Sequence, residues 1–319
     1  LESAQETRTK ETRTPASAAE GERFMVEWLS VPEGTGSRKN VRRRGNRRTI
    51  ASAGAFGHNG RTEERSVGAI VIKGLSIGEG TPKICVPLVG ATREALRAEA
   101  RIAAACGADL AELRIDRFDG VADPAEVEGA IRDVAEILGK MPLLFTFRTD
   151  KEGGSRAISA ADYAALNKSA CDTGLADLID VELFTAEPIR DALIAYAHER
   201  GVKVVVSNHD FQKTPGAEEL VSRLALAARI GGDLPKIAVM PHSPEDVLVL
   251  LSATIQARKV LPDTPIATMS MSGLGAVSRF AGEVFGSALT FGSAAEASAP
   301  GQIPAARLRA ALDLFRQAR

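Results

Sequence analysis

The chain has 319 residues, 45% of them apolar and 25% charged, with a formal net charge of −1. That length suits one α/β barrel of about 250 residues plus an extension, and the balanced charge argues against a whole-molecule polyanion binder. Cys85, Cys106 and Cys171 are too scattered for a disulfide framework or zinc cluster.

Residues 1–66 differ from the rest. They are rich in Arg, Ser, Thr, Gly and Glu, and "RKNVRRRGNRR" (Arg38–Arg48) carries seven basic residues in eleven. Such a stretch cannot bury enough surface to offset its ordering entropy. It is expected to be a disordered basic extension and a dispensable leader. No apolar run of about 18 residues offers a membrane span, and no secretory pattern opens the chain. The sequence reads as cytoplasmic, without a membrane partner.

A β/α rhythm occupies residues 67–319, the expected catalytic domain. "SVGAIVIKGLSIGEG" predicts a short β-hairpin. Continuous apolar strands are then expected at 83–89, 108–116, 142–148, 176–183, 203–208, 235–240, 265–270 and 287–292. Helical periodicity fills the gaps, with Thr92 as an N-cap and Gly107 as a stop, Asp123-Pro124 opening a helix that closes on Gly139, and further helices starting near Ser159, Pro188, Gly216, Ser243, Ala276 and Pro304. Eight strands, each followed by a helix, predict a (β/α)8 TIM barrel, with an open doubly wound sheet as the competitor.

In such barrels chemistry sits at the C-terminal strand ends. There the sequence places Glu112-Leu113-Arg114-Ile115-Asp116, Arg148, Ser207-Asn208-His209-Asp210 and Met269-Ser270-Met271. Polar groups on separate buried strands are costly without partners, which predicts a shared pocket. Lys236 lies inside the apolar "LPKIAVM". A desolvated amine attacks carbonyls, whereas a lysine at a strand's mouth can simply snorkel to solvent. His209 follows the run "VKVVV". It can be a structural histidine or a proton shuttle near neutral pH. His198 can complement a helix C-terminus, and His242 can rim the site. Metal-ligand spacing is missing, so no metal is expected. In "MSGLGAVSRFAG" the glycines precede a helix start, and an anion at that N-terminus could meet Arg279.

These pieces together resemble the type I 3-dehydroquinate dehydratase family of the shikimate pathway. "IGEGTPKICVPLVG", "ELRID", "PLLFTFRTDKEGG", "DLIDVELF", "VVVSNHDFQKTP", "LPKIAVMP", "ATMSMSGLGAVSRFAGEVFGSALTFG" and "SAPGQIP" occur in order, and the resemblance runs from about Lys73 to the end. The resemblance implies a (β/α)8 barrel, a homodimer, no metal and no cofactor. It implies a hydro-lyase that converts 3-dehydroquinate to 3-dehydroshikimate. Lys236 would be the Schiff-base lysine, His209 the general acid/base and Glu152 its supporting carboxylate. Glu112, Leu113, Arg114, Arg148, Arg279, Ser298 and Gln302 would contact substrate, with Arg279 on its carboxylate and Ser298 and Gln302 on a lid. Several arginines are expected near Lys236, favouring its neutral amine. Pro87 stands where some relatives carry a serine, so a hydroxyl contact is lost. Two other readings are a Schiff-base aldolase on the same barrel, and an inactive binding module whose basic tail reaches nucleic acid. A nucleic-acid partner is otherwise not expected.

Overall fold

The computed structural model describes residues 68–294 and 300–318. The expectation for residues 1–66 therefore lies outside the described residues, as does Ser298.

The chain opens with β1 (Ile70–Ile72) and β2 (Leu75–Ile77), an antiparallel hairpin. Its two-residue turn, Lys73-Gly74, has positive φ at both positions, the geometry a tight hairpin needs. Then follow β3 (Lys83–Leu88), β4 (Leu110–Arg114), β5 (Leu143–Thr146), β6 (Leu178–Glu182), β7 (Lys203–Asp210), β8 (Leu234–Val239), β9 (Ala267–Ser270), β10 (Leu289–Ser293) and β11 (Ile303–Pro304). The interleaved helices are α1 (Arg93–Ala105), α2 (Pro124–Leu138), α3 (Ala160–Asp172), α4 (Glu187–Glu199), α5 (Ala217–Arg229), α6 (Pro244–Val260), α7 (Val277–Phe280), α8 (Gly282–Phe285) and α9 (Ala305–Gln317). Thr92, Asp123 and Ser159 each accept a main-chain N–H as N-caps, and Ser243 forms a capping box with Asp246.

Strands β3 to β10 pair in parallel in chain order from β3 to β9, with β10 beside β3 and β11 added outside it. The ring closes between β9 and β10. There Ala288 N donates to Ile266 O at 2.8 Å, and Thr268 N donates to the Ser287 hydroxyl at 3.0 Å. A side chain thus supplies a ladder bond where regular pairing ends. The barrel expectation holds. No described helix is long and apolar enough to cross a membrane.

Strand periodicity explains the layering. Cys85, Leu110, Leu144, Leu178, Val205, Leu234, Ala267 and Leu289, one from each barrel strand, form an inner apolar cluster. Ile70, Ile72 and Ile77 of the hairpin join this cluster and cover its lower end. The intervening residues, such as Val86, Leu113, Phe145, Val181 and Val206, pack outward against the helices. Two residues beyond each inner apolar position stand Pro87, Glu112, Thr146, Asp180, Ser207, Lys236, Met269 and Phe291. One step along the pleat changes the interior from apolar to mostly polar.

The shorter helix expected near Ala276 is present, split into two single turns, α7 and α8. Gly282, which opens the second, has no room for a side chain, since a Cβ there would meet Ser287 O at 2.7 Å. A four-residue helix offers no anion-binding N-terminus, so Arg279 does not work as expected at one. Its side chain runs into the barrel instead.

Candidate active site

The polar strand ends meet around a pocket at the C-terminal mouth of the barrel. Glu112, Arg114, Arg148, Glu152, His209, Lys236, Arg279 and Gln302 all line it, with Phe211, Met269, Met271 and Phe291 as apolar walls. Residues spread over 190 positions of sequence therefore meet in one cavity (302 − 112).

Lys236 is 4% exposed on β8. Its Nζ lies 4.2 Å from the Phe291 ring centroid and 3.7 Å from both Glu112 Oε1 and Asp180 Oδ2. Here the structure corrects an expectation: the charges closest to the amine are carboxylates, not arginines. Arg148 shares the same Asp180 oxygen, with Nη2 2.8 Å from Oδ2. Its Nη1 donates to Glu182 Oε1 and to Ser207 Oγ, each at 3.0 Å. Burial opposes the Arg148 charge, but Asp180, Glu182, Glu152 and Glu112 more than offset it and hold the guanidinium firmly protonated. Arg148 and Lys236 in turn hold Asp180 below the usual carboxylate range despite its burial.

Glu152 ends a short 3-10 turn after β5. Its Oε2 accepts from the His209 main-chain N–H at 2.9 Å and lies 3.0 Å from His209 Nδ1. Its Oε1 accepts from Asn208 Nδ2 at 3.1 Å. Burial, with Glu182 and Asp180, pushes the Glu152 carboxyl up to about 7, against the pull of Arg148 and the Asn208 hydrogen bond. Burial also drives the His209 imidazole well below the ordinary histidine value, assisted by the charges of Arg148, Lys236 and Arg114. A neutral imidazole with Nδ1–H donated to Glu152 keeps a bare Nε2. The loop is tight because Gly154 has no side chain: a Cβ there would meet Arg148 O at 1.8 Å.

Arg114 forms a bidentate pair with Asp116, at 2.8 and 3.0 Å. Asp116 also accepts from the main-chain N–H groups of Arg148 and Ser155. That pairing keeps its carboxyl low although burial opposes it. Arg279 differs from the other cations. It is 1% exposed, and among the described residues its guanidinium donates only to Phe291 O and Pro300 O, at 3.3 and 3.0 Å. Its buried Nε meets no acceptor there. Burial lowers it to about 10, so it remains charged at neutral pH. A buried cation without an anion, beside an open pocket, suits an anionic ligand.

Other expected residues fall elsewhere. Leu113 points away from the pocket into the outer core, because it alternates with Glu112 and Arg114. Pro87 pairs in register with Glu112 and carries no polar side-chain atom. His242 is exposed, with Nε2 2.6 Å from Gln212 O, and clips a loop rather than rimming the pocket. His198, in the last turn of α4, pairs with Asp233 at 2.8 Å. Sequence reasoning passed over Asp180, Glu182 and Thr146. The first two alternate in the otherwise apolar "LIDVE" of β6, which is the signal that could have found them. Among the described residues, no group of three or more His, Cys, Asp or Glu side chains is arranged to hold a metal ion.

Comparison with known proteins gives one answer. The sequence model of the family described as type I 3-dehydroquinase matches residues 84–319. The 3-dehydroquinate dehydratase of Syntrophotalea carbinolica is 53% identical over 246 residues, covering 77% of this chain and 97% of that protein. That of Clostridioides difficile is 49% identical over 246 residues, covering 77% and 96%. Among solved structures, the type I 3-dehydroquinate dehydratase from Clostridium difficile with covalent modified comenic acid superposes with a TM-score of 0.77 at 48% identity, covering 79% of this chain and 99% of that one. The enzyme from Geobacillus kaustophilus gives 0.76 at 40% identity, covering 78% and 96%. With a buried lysine, a carboxylate-held histidine and an anion-ready arginine around one barrel mouth, and with this degree of likeness, the chain belongs to the type I 3-dehydroquinase family.

Proposed function

We propose that the protein eliminates water from 3-dehydroquinate through an imine on Lys236, with His209 moving the proton. The observation that carries this reading is the joint placement of buried Lys236 and the His209–Glu152 pair in one pocket. The substrate carboxylate fits Arg279, which turns the ring's ketone toward the lysine. Nζ attacks the ketone carbon, and loss of water from the carbinolamine gives a protonated imine. Nζ attacks as the neutral amine, and the proton it gives up returns when the carbinolamine hydroxyl leaves as water. The imine so formed carries one positive charge, which Glu112 and Asp180, 3.7 Å from Nζ, face until the enamine forms.

The imine acts as the electron sink. His209 Nε2 removes the proton on the neighbouring carbon, and the electron pair flows to the imine nitrogen as an enamine. The imidazolium is stabilised by Glu152. It then gives its proton to the departing hydroxyl, and the enamine electrons return to form the conjugated double bond. Water hydrolyses the product imine, releasing 3-dehydroshikimate and the free lysine. One imidazole acting in this way contributes about 10²–10⁴-fold, and the covalent step divides the remaining barrier. The family likeness supports a place in aromatic amino acid biosynthesis and a homodimer, which sedimentation at micromolar protein would decide.

Borohydride added during turnover should trap the substrate on Lys236, read as a single mass increase on that residue's peptide. Lys236→Ala should lose trapping and dehydration together. Active enzyme that yields no adduct, or an active Lys236→Ala variant, would sink the mechanism.

A further inference from the structure

The hydrogen bonds behind the His209–Glu152 pair continue through the barrel wall. His209 and Asn208 are neighbours on β7, and strand alternation sends them to opposite faces. Asn208 Nδ2 donates to Glu152 Oε1 at 3.1 Å, while its Oδ1 accepts from Arg223 Nη1 at 2.7 Å. Arg223 belongs to α5 on the outer layer and does not line the pocket. It is held in turn by Glu219, one turn earlier on the same helix, and sits 5.4 Å from the centroid of the Phe184 ring.

The two ends of an amide have nearly the same shape, so only its partners decide which way it faces. A guanidinium carries donors and no acceptor. Arg223 therefore admits only Oδ1 of Asn208, which forces Nδ2 toward Glu152. Glu152 then faces three N–H groups: Asn208 Nδ2, His209 N and His209 Nδ1. A protonated Oε1 would meet the Asn208 donor head-on. The arrangement accepts a carboxylate, and that carboxylate holds the Nδ1–H tautomer of His209.

We propose that Arg223 is a positioning residue for the proton-transfer step: by fixing the Asn208 amide, it keeps Glu152 as an acceptor and leaves Nε2 of His209 as the base. This rests on the acid/base reading of His209 given above. Without Arg223 the amide can turn, presenting Oδ1 to Glu152 and favouring the protonated carboxyl. The other charged groups facing Glu152 are Arg148 after β5, Asp180 and Glu182 on β6, and His209 itself. None of these touches Arg223; loss of its charge also moves Glu152 titration, so the His209 tautomer is the readout that isolates the amide.

Arg223→Met, Asn208→Leu and the double variant are compared with wild type over a pH series. Arg223→Met should lower kcat about tenfold, the worth of one hydrogen bond to a charged group, with KM within about twofold. The acid limb of kcat/KM should move to higher pH. The double variant should be no worse than Asn208→Leu, because both changes break one chain. Losses that add, or a wild-type pH profile in Arg223→Met, would overturn the proposal. Ring 15N shifts of His209 in the unliganded protein give a readout independent of turnover. Wild type should show protonated Nδ1 and Arg223→Met a mixture, whereas protonated Nε2 in wild type overturns the proposal. If wild type fails to dehydrate 3-dehydroquinate, the functional reading falls while the 15N result still decides the role of Arg223. Should Arg223→Met fail to fold, Arg223→Lys takes its place, with a smaller shift in the same direction expected and no shift overturning it.

Discussion

Burying five carboxylates and four cations near one pocket is tolerable only because nearly every charge has a partner. Arg148 spans Asp180 and Glu182, Arg114 spans Asp116, and Lys236 lies between Glu112 and Asp180. The two groups that depart from this balance are those with work assigned to them above. Arg279 lacks an anion among the described residues, and Glu152 is crowded by like charge until its carboxyl reaches about 7. A pH dependence follows from the second. The active form needs neutral His209 and ionised Glu152. His209 is held well below its ordinary value, so it is already neutral near pH 7. Glu152 gains a proton as pH falls through about 7, and its acceptor for the His209 Nδ1–H is then lost. Measured kcat/KM should therefore rise with pH through about 7 and fall about tenfold per unit below it. Glu152→Gln should be slow and should lose that limb. A profile flat from acid to neutral pH, or a limb that survives in Glu152→Gln, would show that another group controls activity.

At the level of strands and helices, most of the architecture was legible and one regularity was not. Apolar runs bounded by Gly, Pro and capping residues marked all eight barrel strands and nearly every helix, though not the two-residue β11, because burial on both sides leaves no polar face to confuse the period. Asp180 and Glu182 escaped because alternation alone does not say which face of a strand two acids take; only the apolar residues between and around them in "LIDVE" mark that strand as buried. Arg223 escaped because a helix arginine four residues from Glu219 reads as a surface pair. The hidden regularity lies at the strand starts. Asp109, Asp177 and Asp233 each precede a strand within "ADL" or "GDL". Each accepts the main-chain N–H at the start of the preceding strand: Ile84, Leu143 and Val204, at 2.7, 2.8 and 2.8 Å. These carboxylates tie β3 to β4, β5 to β6 and β7 to β8 at the end of the barrel away from the pocket. Asp177→Ala leaves the Leu143 donor without its partner and frees Lys73, which it holds at 2.7 Å. The expected cost is about 1–3 kcal/mol of stability, read by urea denaturation, with kcat unchanged. A variant as stable as wild type would show that water replaces the carboxylate.

Across the whole molecule, closure of the barrel turns a linear sequence into a site. Reading strand ends located Lys236, His209 and the arginines, since apolar runs broken by polar residues stand out in one dimension. Which charge meets which could not be read, because that depends on the stagger of neighbouring strands: Ser207 pairs with Lys236 in register, and Glu182 with Ser207. Orientation also separated Leu113 from the residues on either side of it. The remaining question at this scale is how much of the chain the barrel needs. The family match begins at residue 84. The relatives from Syntrophotalea carbinolica and Clostridioides difficile align over 97% and 96% of their own lengths while covering 77% of this chain. They therefore work without a counterpart to most of the first 66 residues. The hairpin is different, since Ile70, Ile72 and Ile77 are buried against the inner apolar cluster. Removing them would expose three isoleucines' worth of interior, each worth about 1.5–3 kcal/mol of burial. A chain of residues 68–319 should keep wild-type kcat/KM within about twofold and an unchanged urea midpoint, whereas a chain starting at Lys83 should be markedly less stable. A tenfold loss of activity in the 68–319 chain would assign the basic segment a part in turnover. Wild-type stability in the chain starting at Lys83 would show that the barrel floor closes without its hairpin.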